Sequence, residues 1–284
     1  MKILVNGAGG QLGQEIVHRL SPWYDILGYT REEWDVTDSE RTRELLKTAR
    51  PDVVVHCAAY TKVDEAEDDP VSAFRINTYG TRNVATACSE NDAVMVYFST
   101  DYVFDGERVD GYDEWSETSP VNVYGRSKEA GERTVRLYCP KHFILRTSWL
   151  YGVHGHNFVK TIVNKARATK EIRVVNDQTG SPTYAGHLVS KLTELLHTRN
   201  YSTYHAANSG SCTWFQFART IIELLALNVT PVPISTCELQ PKAKRPRYST
   251  LRSVRLPAQK MTLLPHWEAG VSEFLKQWEG GGLG

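Results

Sequence analysis

A glycine turn directly after the first apolar segment constrains the fold more than any other feature of this sequence. Residues 2–5 form a short apolar run with strand character, and a helical pattern begins at Gln11. Between and just beyond them, Gly7, Gly10 and Gly13 follow the G-x-x-G-x-x-G spacing of a pyrophosphate-binding turn. Glycine there permits the tight turn and the close approach of phosphate, and the helix N-terminus attracts negative charge. We therefore predict a dinucleotide site at this turn.

Short apolar segments alternate with amphipathic helical patterns through the first half of the chain. The strand-like segments are residues 2–5, 26–28, 52–55, 93–98 and 143–145, and the helical ones are 11–20, 39–47, 71–89 and 124–137. This alternation predicts an α/β fold with a Rossmann-type doubly wound parallel sheet. We expect residues 1–150 to form the dinucleotide-binding domain. Residues 151–284 are predicted to form mainly a smaller C-terminal substrate-binding lobe, with elements that return to the first sheet.

Composition excludes several classes of function. The 33 basic and 33 acidic side chains give a formal charge of zero, which argues against a nucleic-acid partner. No apolar stretch approaches the ~18–20 residues of a membrane span, so no membrane partner is expected. The five cysteines are scattered without C-x-x-C spacing, which argues against a disulfide framework or a metal cluster. Together these features predict a cytoplasmic protein.

The end of the second predicted strand bears on the choice of cofactor. NAD sites usually place a carboxylate there to bind the ribose 2′-hydroxyl, but this chain continues through Thr30 to Arg31. The planar donor fork of Arg31 suits a 2′-phosphate, so the sequence favours NADPH. NADH stays the alternative, because Glu32 and Glu33 could neutralise Arg31.

A Y-x-x-x-K pattern and a pair of hydroxyls form a second constellation. Tyr124 and Lys128 lie four residues apart and share one face of a predicted helix. A phenol of pKa ~10 needs a lower pKa to exchange protons near neutrality, and a cation ~4 Å away would lower it by ~3 units. Either Ser99 or Thr100, at the end of the fourth strand, could donate to a substrate oxygen while Tyr124 transfers its proton.

The glycine turn, the strand-end Ser-Thr-Asp and the Tyr/Lys pair together resemble the extended short-chain dehydrogenase/reductases. More narrowly, five segments are similar to those of the dTDP-4-dehydrorhamnose reductase family, and the similarity extends over nearly the whole chain. These segments are residues 99–106, 120–125, 146–152, 176–183 and 245–249. The resemblance implies a nucleotide-sugar substrate and a role in dTDP-rhamnose biosynthesis for surface polysaccharide.

The resemblance also implies a reaction and a set of site residues. NADPH would deliver hydride to C4 of dTDP-4-dehydro-L-rhamnose and yield dTDP-L-rhamnose. The implied catalytic residues are Thr100, Tyr124 and Lys128, and the implied substrate-binding residues are Thr100, Asp101, Tyr102 and Trp149. Tyr124 would protonate the alkoxide and Thr100 would hydrogen-bond it, while Lys128 would lower the phenol pKa and anchor the nicotinamide ribose. The cofactor-binding set is Gly7, Gly10, Gln11, Leu12, Gly13, Arg31, Asp35, Val36, Cys57, Ala58, Ala59, Tyr124 and Lys128.

A metal and a dimer are further implications of the resemblance. Some members of the group are described as magnesium-dependent homodimers held by carboxylates, one of them in the first helix. Glu15 matches that carboxylate, but a second one falls on Gly186 in this chain. We therefore predict no metal ligands, and leave the need for magnesium and the homodimer open.

Two other functions are compatible with the sequence. A nucleotide-sugar epimerase or 4,6-dehydratase shares the turn and the Tyr/Lys pair, but a dehydratase usually has adjacent Asp and Glu where this chain has Asp101 and Tyr102. An epimerase retains its cofactor through the cycle, which a sequence does not reveal. The second alternative is a non-catalytic NADP-binding regulatory subunit like that of methionine adenosyltransferase. Fold alone does not determine function. The intact Thr100, Tyr124 and Lys128 favour catalysis, because a protein that only binds has no use for a phenol with a tuned pKa.

Overall fold

A six-stranded parallel sheet forms the centre of the fold. The computed structural model describes residues 1–280, and the strands of the sheet are β1 (Lys2–Asn6), β2 (Asp25–Tyr29), β3 (Val53–His56), β4 (Val94–Thr100), β5 (His142–Thr147) and β10 (Ser202–His205). Their spatial order is β2-β1-β3-β4-β5-β10, and every neighbouring pair is parallel. Parallel neighbours require crossover connections, which helices supply here. The predicted α/β Rossmann-type fold is confirmed.

Helices cover both faces of this sheet, because successive strand side chains point to opposite sides. Ile3 and Val5 face one helical layer, and Leu4 between them faces the other; all three are fully buried. The first layer contains α1 (Gln11–Leu20) and α8 (Ala185–Leu196), and the second contains α2 (Ser39–Ala49), α5 (Thr81–Glu90) and α6 (Val123–Tyr138). No helix within residues 1–280 has the length and apolar character that a bilayer crossing needs.

The single helix predicted over residues 71–89 is wrong in detail. The structure has α3 (Glu65–Asp68), α4 (Pro70–Phe74) and a π-helical turn (Arg75–Gly80) before α5. Inside that turn Asn77 is fully buried: its Oδ1 accepts the backbone N–H of Tyr60 at 2.8 Å, and its Nδ2 donates to Ser127 Oγ at 2.9 Å. A π-turn changes the local register of a helix, so a 3.6-residue pattern does not reveal it.

Beyond residue 150 the chain forms a second, smaller core. Apolar side chains such as Val163, Phe217 and Phe274 pack together there, and β10 and α8 return to the central sheet. The boundary at residue 150 stays a prediction, and residues 281–284 lie outside the described residues. The elements of this part are β6 (Leu150–Tyr151), α7 (Phe158–Ala168), β7 (Glu171–Val175), β8 (Thr179–Gly180), β9 (Thr183–Tyr184), β11 (Asn208–Ser209), β12 (Cys212–Thr213), α9 (Trp214–Leu224), β13 (Thr230–Ile234), α10 (Thr236–Leu239), α11 (Arg255–Ala258), β14 (Leu264–His266) and α12 (Trp267–Gly280).

Close packing of α6 on the sheet leads to the first testable prediction. A Cβ added at Gly131 would lie 2.3 Å from the Tyr97 hydroxyl and 2.4 Å from the Asn77 carbonyl oxygen. We expect Gly131→Ala to lower the free energy of unfolding by ~2 kcal/mol or more, because overpacking outweighs the ~1 kcal/mol gain in helix propensity. Urea unfolding measures the change.

The control is Arg133→Ala on the same helix, whose side chain is largely exposed and pairs with Glu129. We expect this variant to lose less than ~1 kcal/mol. A Gly131→Ala protein as stable as the wild type would contradict the packing argument.

Candidate active site

The glycine turn is shaped so that backbone, rather than side chains, faces the edge of the sheet. Gly7 has φ +64°, and a Cβ there would lie 2.6 Å from the backbone N of Ala58. A Cβ at Gly13 would lie 2.3 Å from the carbonyl oxygen of Gly7. Near the start of α1, the buried Oε1 of Gln11 has no hydrogen-bond partner within residues 1–280. This cradle at a helix N-terminus, where backbone N–H groups can approach closely, fits a pyrophosphate.

A cavity of about 420 Å³, here called the central cavity, begins at this turn. It continues past the carboxyl ends of β3, β4 and β5, where open α/β sheets bind their ligands. The residues predicted from the glycine turn and those predicted for catalysis therefore line one space. Its lining residues include Gly7, Gly10, Gln11, Leu12, Gly13, Cys57, Ala59, Thr100, Asp101, Tyr124, Lys128, Thr147, Trp149 and His156.

A second cavity of about 410 Å³, the side cavity, lies on the other side of the turn and shares Gly7, Gly10, Cys57 and Ala59 with the first. Arg31, Asp35, Val36 and Ala58 also line it, so the structure groups the residues predicted to hold the adenosine half of a cofactor. Glu33 accepts the backbone N–H of Thr30 at 2.7 Å, whereas Glu32 lines the cavity beside Arg31.

A third cavity, of about 910 Å³, lies under the C-terminal part of the chain and is here called the large cavity. Of the predicted site residues it contains Tyr102. Sequence reasoning did not assign a role to its other polar and aromatic lining, although residues 176–183 and 245–249 contributed to the resemblance. That lining includes Phe158, Lys165, Arg173, Gln178, Trp214, Lys242 and Arg245.

Two aromatic pairs lie where the large and central cavities meet. Tyr102 packs edge-on against Tyr124, with ring centroids 5.7 Å apart. Trp149 stacks on Trp214 at 3.5 Å with the rings 6° from parallel. Trp149 adopts φ +46°, a left-handed conformation that costs a non-glycine residue energy and is found mainly where surrounding contacts enforce it.

Thr100, which lies beside Tyr124, is hydrogen-bonded to Asp101. Thr100 Oγ1 donates its single proton to Asp101 Oδ1 at 3.0 Å and accepts the backbone N–H of Tyr102 at 3.1 Å. The Thr100 hydroxyl also lies beside the Tyr124 phenol and lowers its pKa. Burial raises the pKa of Asp101 to about 6, although hydrogen bonds from Ser249, Thr100 and Ser148 partly offset it. Thr100, Asp101 and Tyr124 therefore lie together at the end of β4.

The neighbouring hydroxyl, Ser99, is committed to a different network. Ser99 Oγ donates to Glu132 Oε1 at 2.6 Å, and Arg146 binds the same carboxylate through Nε at 2.8 Å and Nη2 at 2.7 Å. Burial alone would raise the pKa of Glu132, but Arg146 and Arg136 lower it to about 2. Of the two hydroxyls that the sequence left open, Thr100 is therefore the one that is placed beside Tyr124.

The expected lowering of the Tyr124 pKa by Lys128 is wrong for the protein by itself. Burial raises the pKa of the Tyr124 phenol, the neighbouring Thr100 hydroxyl offsets part of that rise, and the Asp101 charge adds to it. The Lys128 ammonium instead donates to the carbonyl oxygen of Phe98 at 2.7 Å and lies 4.1 Å from the ring centroid of Tyr97. Burial lowers the pKa of Lys128 itself to about 7, although the Glu132 charge opposes this.

Salt bridges connect the C-terminal segment that covers the large cavity to the start of α3. Arg245 Nη2 lies 2.6 Å from Asp64 Oδ2, whose other oxygen accepts the backbone N–H of Ala243 at 2.9 Å. Lys242 pairs with Asp68, about one helical turn further on at the end of α3, at 2.5 Å. These contacts hold the segment at residues 242–245 against the first half of the chain.

Comparison with known proteins shows which family has this arrangement. The model of the family described as RmlD substrate binding domain matches residues 1–279. The spore coat polysaccharide biosynthesis protein SpsK of Bacillus subtilis is 37% identical over 97% of both chains. The dTDP-4-dehydrorhamnose reductase of Escherichia coli is 35% identical over 98% of both chains. A crystal structure of dTDP-4-dehydrorhamnose reductase from Bacillus anthracis in complex with NADP has a TM-score of 0.96 and 43% identity, with 97% of this chain and 99% of that chain covered.

The buried Lys128 predicts a specific dependence of stability on pH. Its pKa is about 7 in the native state and ~10.4 when unfolded, so between these values the native state binds fewer protons. The free energy of unfolding therefore gains a contribution of ~2 kcal/mol from about pH 7 to about pH 9, and Lys128→Met should lack it. Urea unfolding of both proteins across this range measures the difference.

The control is Lys47→Met, since Lys47 is exposed on α2. Its stability should follow that of the wild type in parallel across the whole range. If the difference between wild type and Lys128→Met stayed constant with pH, the ammonium would not be buried as described.

Proposed function

Because this chain belongs to the RmlD substrate binding domain family, we propose that it is an NADPH-dependent oxidoreductase that reduces the C4 keto group of dTDP-4-dehydro-L-rhamnose to dTDP-L-rhamnose. One observation carries the proposal: Thr100, Tyr124 and Lys128 meet in the cavity that begins at the glycine turn. Relatives named dTDP-4-dehydrorhamnose reductase support the substrate, and the alignments cover 84% to 98% of their length.

The cofactor would occupy the central and side cavities. When bound, NADPH supplies the hydride for the reduction. The backbone of the glycine turn would hold the pyrophosphate, and the guanidinium of Arg31 would pair with the 2′-phosphate. Cys57, Ala58 and Ala59, which follow β3, would line the dinucleotide where it crosses from one cavity to the other. The Lys128 ammonium, held at the Phe98 carbonyl, would bind the ribose of the nicotinamide.

Tyr124 is the proton donor in this proposal. A reduction needs a group that is protonated before the reaction, and the raised pKa of the buried phenol keeps it so at neutral pH. Binding of the ribose hydroxyls beside Lys128 would place further polar groups around the Tyr124 hydroxyl. The alkoxide that forms at C4 would then take the Tyr124 proton.

Thr100 and Asp101 would exchange partners when the sugar binds. The single proton of Thr100 is donated to Asp101 in the protein alone, so Thr100 has to turn before it can donate to the C4 oxygen. The Asp101 carboxylate would then accept a hydroxyl of the sugar in place of the Thr100 proton. In this way the buried carboxylate never loses a hydrogen bond, and Thr100 becomes available only when a polyhydroxylated ligand is present.

The large cavity would hold the nucleoside diphosphate of the substrate. Arg245, Lys165 and Arg173 supply cationic groups for phosphate, and the Trp149–Trp214 stack offers an aromatic surface at the border with the central cavity. We accordingly assign cofactor binding mainly to residues 1–150 and substrate binding mainly to residues 151–284. From the first part, Asp64, Glu65, Asp68 and Tyr102 also line the large cavity.

We also propose a cytoplasmic location, which is supported by five free cysteines and by the use of an intracellular cofactor. A homodimer stays a prediction from the resemblance. The epimerase and regulatory-subunit alternatives differ from the reductase in one measurable property: only a reductase consumes NADPH in proportion to its product.

The direct test is turnover with the proposed substrate. Purified protein should oxidise one NADPH for each dTDP-4-dehydro-L-rhamnose, generated in place by a dehydratase and a 3,5-epimerase. Tyr124→Phe should lower kcat by ~100-fold or more, because it removes the proton donor, and should retain NADPH affinity. Loss of NADPH absorbance measures the cofactor consumed, and mass spectrometry measures the product formed. Tight NADPH binding without turnover would support the regulatory subunit, and turnover without net NADPH loss would support the epimerase.

The two adjacent strand-end hydroxyls provide a matched test of the catalytic geometry. Thr100→Val should lower kcat by ~100-fold or more, because the C4 oxygen loses a hydrogen-bond donor. Ser99→Ala should change kcat by less than ~5-fold and lower stability instead, because its hydroxyl is bound to Glu132. Steady-state kinetics and urea unfolding of both variants separate the effects. The opposite ranking of the two variants would refute the assignment of Thr100.

A further inference from the structure

Glu15 is a buried carboxylate at the centre of α1. It is 1% exposed and forms a salt bridge with Arg19, one helical turn further on, through Oε1. Its second oxygen, Oε2, has no hydrogen-bond partner in the described part of the chain, and His154 Nε2 lies 3.8 Å from it. A carboxylate buried in this way needs a nearby positive charge. In magnesium-dependent members of the family a divalent cation is expected to meet this need.

Arg19 supplies that charge from within the chain. Besides its salt bridge to Glu15, its Nη2 donates to Tyr184 Oη at 2.8 Å and to Gln277 Oε1 at 3.1 Å. The guanidinium carbon also lies 5.6 Å from the ring centroid of Tyr184. One side chain therefore joins α1 to the start of α8 and to α12.

The glycine at position 186 is what makes room for this guanidinium. A Cβ at Gly186 would lie 2.5 Å from Arg19 Nη2 and 2.6 Å from Cε1 of the Tyr184 ring. A glutamate at 186 and Arg19 in its present position are therefore mutually exclusive. Within residues 1–280 no three His, Cys, Asp or Glu side chains are grouped to hold a metal ion. The residues present do not fit the magnesium site that the resemblance implies.

We infer that the Arg19 guanidinium occupies the place of the family's divalent cation, so that Glu15 is neutralised and α1 is joined to α8 and α12 without a metal. Arg19 and Gly186 together replace two features of the magnesium site. The Arg19 guanidinium takes the place of the bound ion, and Gly186, in the place of a carboxylate, leaves room for that guanidinium. The Arg19 contacts also anchor a helix of the cofactor site, because the N-terminus of α1 follows the glycine turn. This inference does not depend on the identity of the substrate.

The first experiment compares the purified wild-type protein treated with EDTA with the same protein given excess Mg²⁺. We expect identical melting temperatures, the same oligomeric state by light scattering and no bound magnesium by atomic emission. A melting temperature that falls with EDTA and is restored by Mg²⁺ would overturn the inference, and so would stoichiometric magnesium in the protein as purified.

The second experiment uses variants. Arg19→Met should lower the melting temperature by roughly 6 °C or more, because it leaves Glu15 buried without its partner. The double variant Arg19→Met/Gly186→Glu should regain part of this loss only in the presence of Mg²⁺. The control Arg41→Met, which removes an exposed salt bridge to Glu44, should behave as the wild type with and without Mg²⁺. An Arg19→Met protein as stable as the wild type, or a double variant indifferent to Mg²⁺, would overturn the inference.

Discussion

Burial of the central sheet on both faces is the constraint on which the rest of this structure depends. With α1 and α8 on one side and α2, α5 and α6 on the other, the middle of each strand has to be apolar. Polar groups that the chain needs for chemistry are therefore confined to the edge where the strands end. The glycine turn, Thr100 and Thr147 reach that edge from β1, β4 and β5, and Thr100 and Thr147 are direct neighbours in the strand register. The position of the site follows from how the sheet is covered.

A buried network behind the edge decides how the polar groups there are used. Glu132 is fully buried, and Arg146 binds it from β5 with two hydrogen bonds. Because the same carboxylate accepts the Ser99 proton, Thr100 is the hydroxyl of the pair that lies beside Tyr124. Glu132 also lies one turn after Lys128 on α6, where its charge favours the ammonium form of that lysine. One ion pair thus connects β4, β5 and α6 and influences two of the three proposed catalytic side chains.

The C-terminal part of the chain completes the site from the other side. The stack of Trp149 on Trp214 and the salt bridge between Arg245 and Asp64 connect it to the first half at the border of the large cavity. The Arg19 contacts with Tyr184 and Gln277 connect the two parts again, behind α1. Because these connections use side chains that are far apart in sequence, the shape of the large cavity depends on distant parts of the chain.

The sequence by itself determined the fold class, the cofactor turn and the family, because periodicity, glycine spacing and local motifs are properties of neighbouring residues. It also placed Thr100, Tyr124 and Lys128 as candidates. It left Ser99 and Thr100 equivalent, and it did not reveal the π-turn around Asn77, because these depend on contacts with Glu132 and Ser127 over more than 30 residues of chain. The pKa values of Tyr124 and Lys128 were likewise decided only by tertiary structure, since burial, rather than their spacing, dominates both.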